Sequence, residues 1–407
     1  MEVLHARCAG LDVHKKTVVA CVRVAAGGKI ERQVQTFGTT TQDLLALATW
    51  LRSYAVTHVA MEATGVYWKP VWHVLEDEFS LLLGNAHEIK AVPGRKTDVN
   101  DAMWIADLLA HGLIRASFVP PAPIQELRDL TRTRKQLVGE RSQHVQRIQK
   151  VLEDANVKLS SVVTDILGAS GRAMIEGLIA GTKDPRELAK LAHGRIRASR
   201  ADIAAALDGT VRNHHRFMLR LHLQQISGLE TAIGMVEARV EELLRPFEPV
   251  TQRLKTIPGV SGVVVAVLLA EIGNDMSKFP TAAHVVSWAC LAPRADQSAG
   301  KRRSTRTRTG QWLKASLVQA AWAAVRQKDG YLHAQFHRIR SRRGAKKAIL
   351  AVAASMLTAA YYIIKNGTEY QDLGVDYFHR RDQKKGAMRL VQRLQQMGYS
   401  VQLSDAA

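Results

Sequence analysis

The chain has 407 residues, 46% hydrophobic and 23% charged, which suits two or three globular domains with buried cores and excludes a disordered or collagen-like polymer. Lys and Arg number 57 against 37 acids, a formal charge of +20 that points to a polyanionic partner without dictating a fold. The three cysteines, Cys8, Cys21 and Cys290, are scattered, odd in number and without CxxC spacing, so a disulfide scaffold and a cysteine zinc site are disfavoured and a reducing cytoplasm is expected.

The first residues show no secretory apolar core. The opening LDVHKKTVVACVRV is rich in β-branched residues and reads as the first strand; Gly27, Gly28 and Lys29 signal a turn, and Ile30, Val34 and Phe37 mark a second strand. Residues 41–54 have helical spacing after threonines. THVAMEATG then reads as a third strand, VYWKPVWHVLEDE as a helix, FSLLLGNA as a strand, and KTDVNDAMWIADLLAHG as a helix opened by Thr and Asp. Strands alternating with helices imply an α/β layer with some parallel pairing. Beyond Pro120, Pro121 and Pro123 the pattern changes. Ile124, Leu127, Val138, Val145, Ile148, Leu152, Ala155, Leu159 and Val162 share one heptad register, interrupted by Thr131, Arg134 and Arg141. Leu219, His222, Ile226, Leu229, Ile233, Val236, Val240 and Leu243 form a second register. These are two long helices with narrow apolar seams, expected as a coiled-coil arm paired within the chain or between protomers, with helical pieces near 186–192 and 201–207 between them. The chain is again helical from 251 to about 365. The uncharged run 348–364 is Ala-rich and short for a bilayer span, so a buried helix and no membrane association are expected. The expected division is 1–122 (α/β), 123–250 (helical arm), 251–366 (mainly helical) and 367–407 (peripheral).

Four acids stand out in the first part. Asp12 lies in the first strand, Glu62 ends the third at a strand-to-helix turn, and Asp98 and Asp101 share a face at the start of a helix. Converging carboxylates repel unless divalent cations neutralise them, and Mg²⁺ prefers such hard oxygen ligands. Each acid also has a plainer role: Asp98 as an N-cap, Asp101 in a favourable first turn, Glu62 as a cap. Asp12 is harder to dismiss, since acids are poor strand formers. The segment LKTIPGVSGVVVAVLLAEIG resembles a helix-hairpin-helix, in which Gly259 and Gly262 would admit a phosphate to helix amides; a plain tight turn fits it equally well.

The charge is uneven. Residues 1–110 carry 11 Lys/Arg and 12 acids, whereas residues 290–347 carry 15 Lys/Arg and only Asp296 and Asp329, so 13 of the 20 surplus charges lie in one short stretch. Phosphate binding by Lys301, Arg302, Arg303, Arg306 and Arg308 is the natural reading of that stretch. A serine among these arginines either donates a hydrogen bond to phosphate or attacks phosphorus, and composition alone favours the passive role. The histidines, among them His14, His73, His87, His111 and His144, show no ligand spacing.

Taken in order, GLDVHKKT, MEATGVYW, KTDVNDAMWIADLL, IPGVSG with LLAEIG, and LAPR with QSAGK and LKASLVQAA resemble transposases of the insertion-sequence one-ten family, over roughly residues 8–365. The resemblance implies a RuvC-like (ribonuclease H fold) N-terminal domain whose Asp-Glu-Asp-Asp set is Asp12, Glu62, Asp98 and Asp101, binding Mg²⁺ or Mn²⁺. It also implies a coiled-coil region and a mainly helical transposase domain with a catalytic serine. Ser298 matches that serine best, although Ala299 stands where the family often has glycine and Gly300 follows; Ser304 is the second candidate. The implied activity is recombination of donor and target DNA through a covalent phosphoserine link, guided by a structured (bridge) RNA, in a dimer or tetramer whose acids and serine come from different protomers. The rival function is a metal-dependent nuclease or junction resolvase acting by direct hydrolysis.

Overall fold

A computed structural model of the chain describes residues 3–63, 65–85, 98–193, 196–293, 297, 298, 300–302, 307, 310 and 312–401, with only the backbone described for 98–100, 297, 298, 302, 384, 385 and 389. It falls into two compact units, Met1–Val119 and Pro120–Ala407.

In the first unit the described residues form strands β1 (Arg7–Val13), β2 (Thr17–Ala26), β3 (Lys29–Gly38), β4 (His58–Glu62) and β5 (Ser80–Gly84), with helices α1 (Thr41–Ser53), α2 (Trp68–Leu75) and α3 (Asp98–Ala110). The sheet order is β3-β2-β1-β4-β5; β1–β2 and β2–β3 are antiparallel, β1–β4 and β4–β5 parallel. The β-branched opening, one strand by sequence, is thus a hairpin. It folds at the polar triplet His14-Lys15-Lys16, where His14 N donates to Thr17 O at 2.9 Å, so Glu62 ends the fourth strand and not the third. The expected parallel pairing is present on both sides of β4.

Alternation along the strands gives the sheet two buried faces. Ala9, Leu11 and Val13 of β1 and Val59 and Met61 of β4 join Leu44, Leu47 and Leu51 of α1 and Val71 and Leu75 of α2 in one core. Cys8 and Ala60 pack with Ile105 and Leu109 of α3, and Cys21 with Ala102 and Ala106. The threonines before α1 form a capping box: the Thr40 side chain accepts from Asp43 N, and the Asp43 carboxylate accepts from Thr40 N.

The second unit opens with α4 (Ala122–Asp154), followed by α5 (Leu159–Val162), α6 (Ala169–Ala180), α7 (Pro185–Lys190), α8 (Arg200–Leu207) and α9 (Asn213–Leu244). Helices α4 and α9 pair within the chain and run antiparallel: Arg134 meets Glu237, Arg141 meets Glu230, His144 meets His222, and Asp154 meets His215. The arginines that interrupt the first heptad register are therefore placed against acids of the second. Glu230 receives two of them, Arg141 at 2.7 Å and Arg172 of α6 at 3.2 Å. Burial raises the Glu230 pKa, but the Arg141 hydrogen bond and the Arg172 charge outweigh it, so the net shift is downward. At one end of the pair Ile148, Leu152, Leu219 and Ile226 join Met174, Ile175 and Leu178 of α6, Leu188 of α7 and Ile203 and Leu207 of α8 in a small helical head.

The rest comprises α10 (Glu248–Lys255), α11 (Gly262–Ile272), α12 (Ala282–Trp288), the two-residue strands β6 (Gln297–Ser298) and β7 (Lys301–Arg302), α13 (Leu313–Ala324), α14 (Tyr331–Arg343), α15 (Ala345–Asn366) and α16 (Tyr377–Gln396). Helix α15 is, among the described residues, the one helix long and apolar enough to cross a membrane, and half of its apolar window is buried inside the protein. Val352, Ala353, Met356, Leu357 and Ala360 are buried along it, and Tyr361 Oη donates to Phe279 O at 3.0 Å. The C-terminal segment contains α16, whose Phe378 stacks on Tyr331.

The arm is fastened at its root by a buried charge. Glu271, on the last turn of α11, is 3% exposed. Arg132 of α4 forks onto its carboxylate at 2.8 and 2.9 Å, while Arg128 donates to the Ala270 and Glu271 carbonyls, each at 2.9 Å. Arg128 thus satisfies end-of-helix carbonyls that lack partners within α11. Arg132→Met leaves Glu271 buried without its bidentate partner and is expected to cost about 3–5 kcal/mol by denaturant unfolding, whereas Arg132→Met with Glu271→Met recovers most of that loss.

Candidate active site

Asp12 and Glu62 lie side by side at one end of the sheet of the first unit. Leu11 of β1 pairs with Met61 of β4, so Asp12 and Glu62 are the next residues on two parallel strands about 4.8 Å apart. Leu11 and Met61 point into the α1/α2 core, which turns Asp12 and Glu62 to the α3 face. Glu62 is 7% exposed and the Asp12 side chain 13%. Asp12 Oδ2 lies 3.0 Å from His14 Nε2 across the turn into β2.

Helix α3 runs opposite to β1. Its last residue, Ala110, accepts from Leu4 N at 2.9 Å, while Ala106 and Ala102 lie against Gly10. The start of α3 therefore reaches the end of β1 that carries Asp12. Asp101 is half-buried there, and Asp98 opens the helix with its side chain outside the described set. Gly10 sets this approach: a Cβ on it would lie 2.3 Å from Ala102 O and 2.4 Å from Ala106 N. Among the described residues no three His, Cys, Asp or Glu groups are placed to hold a metal ion together. Cys8 and Cys21 lie under α3; burial pushes both thiols up to about 11, so neither is a thiolate nucleophile at neutral pH.

The second set of sequence-marked residues lies in the other unit. Ser298 pairs with Lys301 across the β6–β7 hairpin, and Gly300 in its turn has φ +75°, a left-handed conformation that glycine adopts freely. An antiparallel bridge between Pro293 and Thr307 closes the hairpin base, and Lys314 Nζ of α13 donates to Thr307 Oγ1 at 2.7 Å. Lys301 is exposed and Arg302 lies in β7; Arg303, Ser304, Arg306 and Arg308 lie outside the described residues. In the hairpin between α10 and α11, Gly259 has φ +77°, and a Cβ there would meet Ala320 O of α13 at 2.3 Å. Helix packing thus explains that glycine, whereas Gly262 opens α11 with free space around it. His14 beside Asp12, and the role of Gly10, are not singled out by sequence spacing. A lone glycine inside a strand is nonetheless a known mark of close backbone approach.

Comparison with known proteins gives the family. A family model for DEDD transposases of the IS110 group, described as "Transposase", matches residues 9–157, and one described as "Transposase IS116/IS110/IS902 family" matches residues 251–338. A relative from Streptomyces coelicolor, "Insertion element IS110 uncharacterized 43.6 kDa protein", is 28% identical over 305 residues, covering 69% of this chain and 73% of its own length. The two matches are to transposases, which makes this chain a DNA-recombining enzyme. The chain belongs to the IS110 family, the insertion-sequence one-ten family of its sequence motifs.

Gly10→Ala is expected to destabilise the first unit by about 3 kcal/mol by forcing α3 away from β1. Gly139→Ala on α4, where no atom lies within 4 Å of the added Cβ, should instead stabilise by up to about 1 kcal/mol. Denaturant unfolding of the two variants separates a packing requirement from general helix or strand propensity.

Proposed function

We propose that this transposase cuts and rejoins donor and target DNA through a covalent phosphoserine intermediate, with Ser298 as nucleophile and Asp12, Glu62, Asp98 and Asp101 as an Mg²⁺- or Mn²⁺-binding set in a ribonuclease H-like, RuvC-like domain. The observation that carries the acidic half is the adjacency of Asp12 and Glu62 on parallel strands, with the start of α3 brought to the same end. The chemistry of this donor set suits a hard divalent cation, since its members are carboxylates and two of them sit largely out of water. When bound, that cation would offset carboxylate repulsion and polarise a phosphate oxygen.

The protein's own groups divide the remaining tasks. Ser298 Oγ attacks phosphorus, forming a serine–phosphate ester as one P–O bond of the DNA strand breaks and the leaving DNA oxygen takes up a proton. A DNA hydroxyl later attacks the same phosphorus, forming the new strand and releasing serine. Lys301 and Arg302, with Arg303, Arg306 and Arg308 of the same basic stretch of sequence, neutralise phosphate and stabilise the charge that develops on it. His14 orients the Asp12 carboxylate through its 3.0 Å contact. A structured guide RNA and a homo-oligomer of two or four copies, supplying acids and serine from different protomers, complete the proposal. The family resemblance supports both, and the +13 stretch at 290–347 supports contact with nucleic acid.

Denaturing electrophoresis after mixing the protein with labelled DNA, guide RNA and Mg²⁺ is expected to show a protein–DNA adduct that Ser298→Ala abolishes and Ser304→Ala does not. Cleavage that persists in Ser298→Ala without adduct would mean direct hydrolysis. Binding should weaken steeply with salt: with about six phosphates contacted, log K against log salt falls with a slope near −5. Neutralising Arg302, Arg303, Arg306 and Arg308 should flatten that slope far more than matched changes in residues 1–110, as read from filter binding at several salt concentrations.

A further inference from the structure

A cleft of ≈ 590 Å³ opens in the second unit where the root of the arm meets α10, α11 and α13. Val138 of α4 and Val263 of α11 line it, 38% and 43% exposed, large apolar side chains left in reach of solvent. Trp312, at the start of α13, forms a flat wall, with the Arg132 guanidinium and the Lys135 ammonium each 5.2 Å from its ring centroid. The charges around the cleft largely cancel: Arg132 is held by Glu271 and Arg134 by Glu237. The lining also contains a polar atom without a role in the fold. Thr251 is 3% exposed, and its Oγ1 has no hydrogen-bond partner among the described residues. A buried hydroxyl left this way weakens a protein unless something else satisfies it.

An aromatic wall, an apolar lining, near-neutral charge and one waiting hydroxyl suit a flat heterocycle with hydrogen-bonding edges. The volume lies within the range of small-molecule sites. Lys135 and Lys255 border the cleft, where they could meet the phosphates flanking such a ring. In sequence the cleft adjoins the serine-bearing loop: Trp312 follows it, and Lys314 ties the loop base to α13. We propose that this cleft takes a single unpaired nucleobase of a DNA strand, stacked against Trp312 and hydrogen-bonded at its edge by Thr251. The proposal rests on the DNA partner of the family and is independent of serine chemistry, so it is tested with full-length protein in a Ser298→Ala background.

The probe is a DNA duplex carrying one bulged 2-aminopurine, compared with the same duplex without the bulge at fixed salt. Affinity for the bulged duplex is expected to be about ten-fold tighter, with 2-aminopurine fluorescence quenched on binding. Val263→Trp fills the mouth from an exposed helix position and is expected to abolish both preference and quenching, with its thermal midpoint checked against the parent. Thr251→Val should lower the preference several-fold while raising the thermal midpoint, a combination that a purely structural hydroxyl would not give. Equal binding of the two duplexes, quenching retained in Val263→Trp, or a preference only for a bulged RNA would overturn the proposal. So would a change of oligomeric mass in Val263→Trp with DNA binding untouched, which would make the cleft a protein-docking groove. A covalent adduct that persists in Ser298→Ala, with the bulge preference intact, would count against the serine mechanism alone.

Discussion

The distance between α3 and β1 is the constraint on which the first unit depends. Backbone meets backbone at Gly10, closer than any side chain would permit. That contact brings the first turn of α3 to the ends of β1 and β4. It is reinforced further along the helix, where Asp107 accepts from Arg23, which is 1% exposed, and from Arg32. The ion pairs are partly buried, so their value lies less in net stability than in admitting one seating of the helix and no other. The seat thereby fixes where the first turn of α3 stands relative to Asp12 and Glu62.

Much of this architecture was legible in the sequence. The capping threonine before α1, the short strand ending at Glu62 and the start of α3 near Asp98 are local signals, and local signals survive folding. The burial of α15 followed from its small residues and its length. The split of residues 11–24 into a hairpin did not, because alternation runs on past the polar triplet and only the pairing of β1 with β2 reveals the fold-back. Nor did the adjacency of Asp12 and Glu62, which belongs to a parallel register between segments fifty residues apart. Helix α6 is not legible in the sequence, because a segment with two internal glycines has little helical tendency of its own; it is held by the core it shares with α4, α8 and α9. The arginines in the arm looked like defects of a heptad seam and become intelligible only once their glutamates are seen across from them.

Charge is divided unevenly between the two units. The unit that bears Asp12 and Glu62 is nearly balanced in charge, while residues 290–347 of the other unit carry 13 of the 20 surplus positive charges. The buried Glu271 shows the opposite use of charge within the basic unit. Its two arginines are spent on holding helices together, and Lys135 nearby is shifted downward by burial, an effect that Glu271 opposes. Not every cation in this protein is there for nucleic acid.

The antiparallel ion pairs of the arm also make it a ruler. Sixteen residues separate Arg132, at the root, from Ile148, where the head begins. That is about 24 Å of helix, close to seven base pairs of duplex. Because each residue turns a helix by about 100°, a single insertion there would swing the head around the axis and set Arg141 out of phase with Glu230. Evolution can therefore lengthen this arm in whole heptads far more readily than one residue at a time.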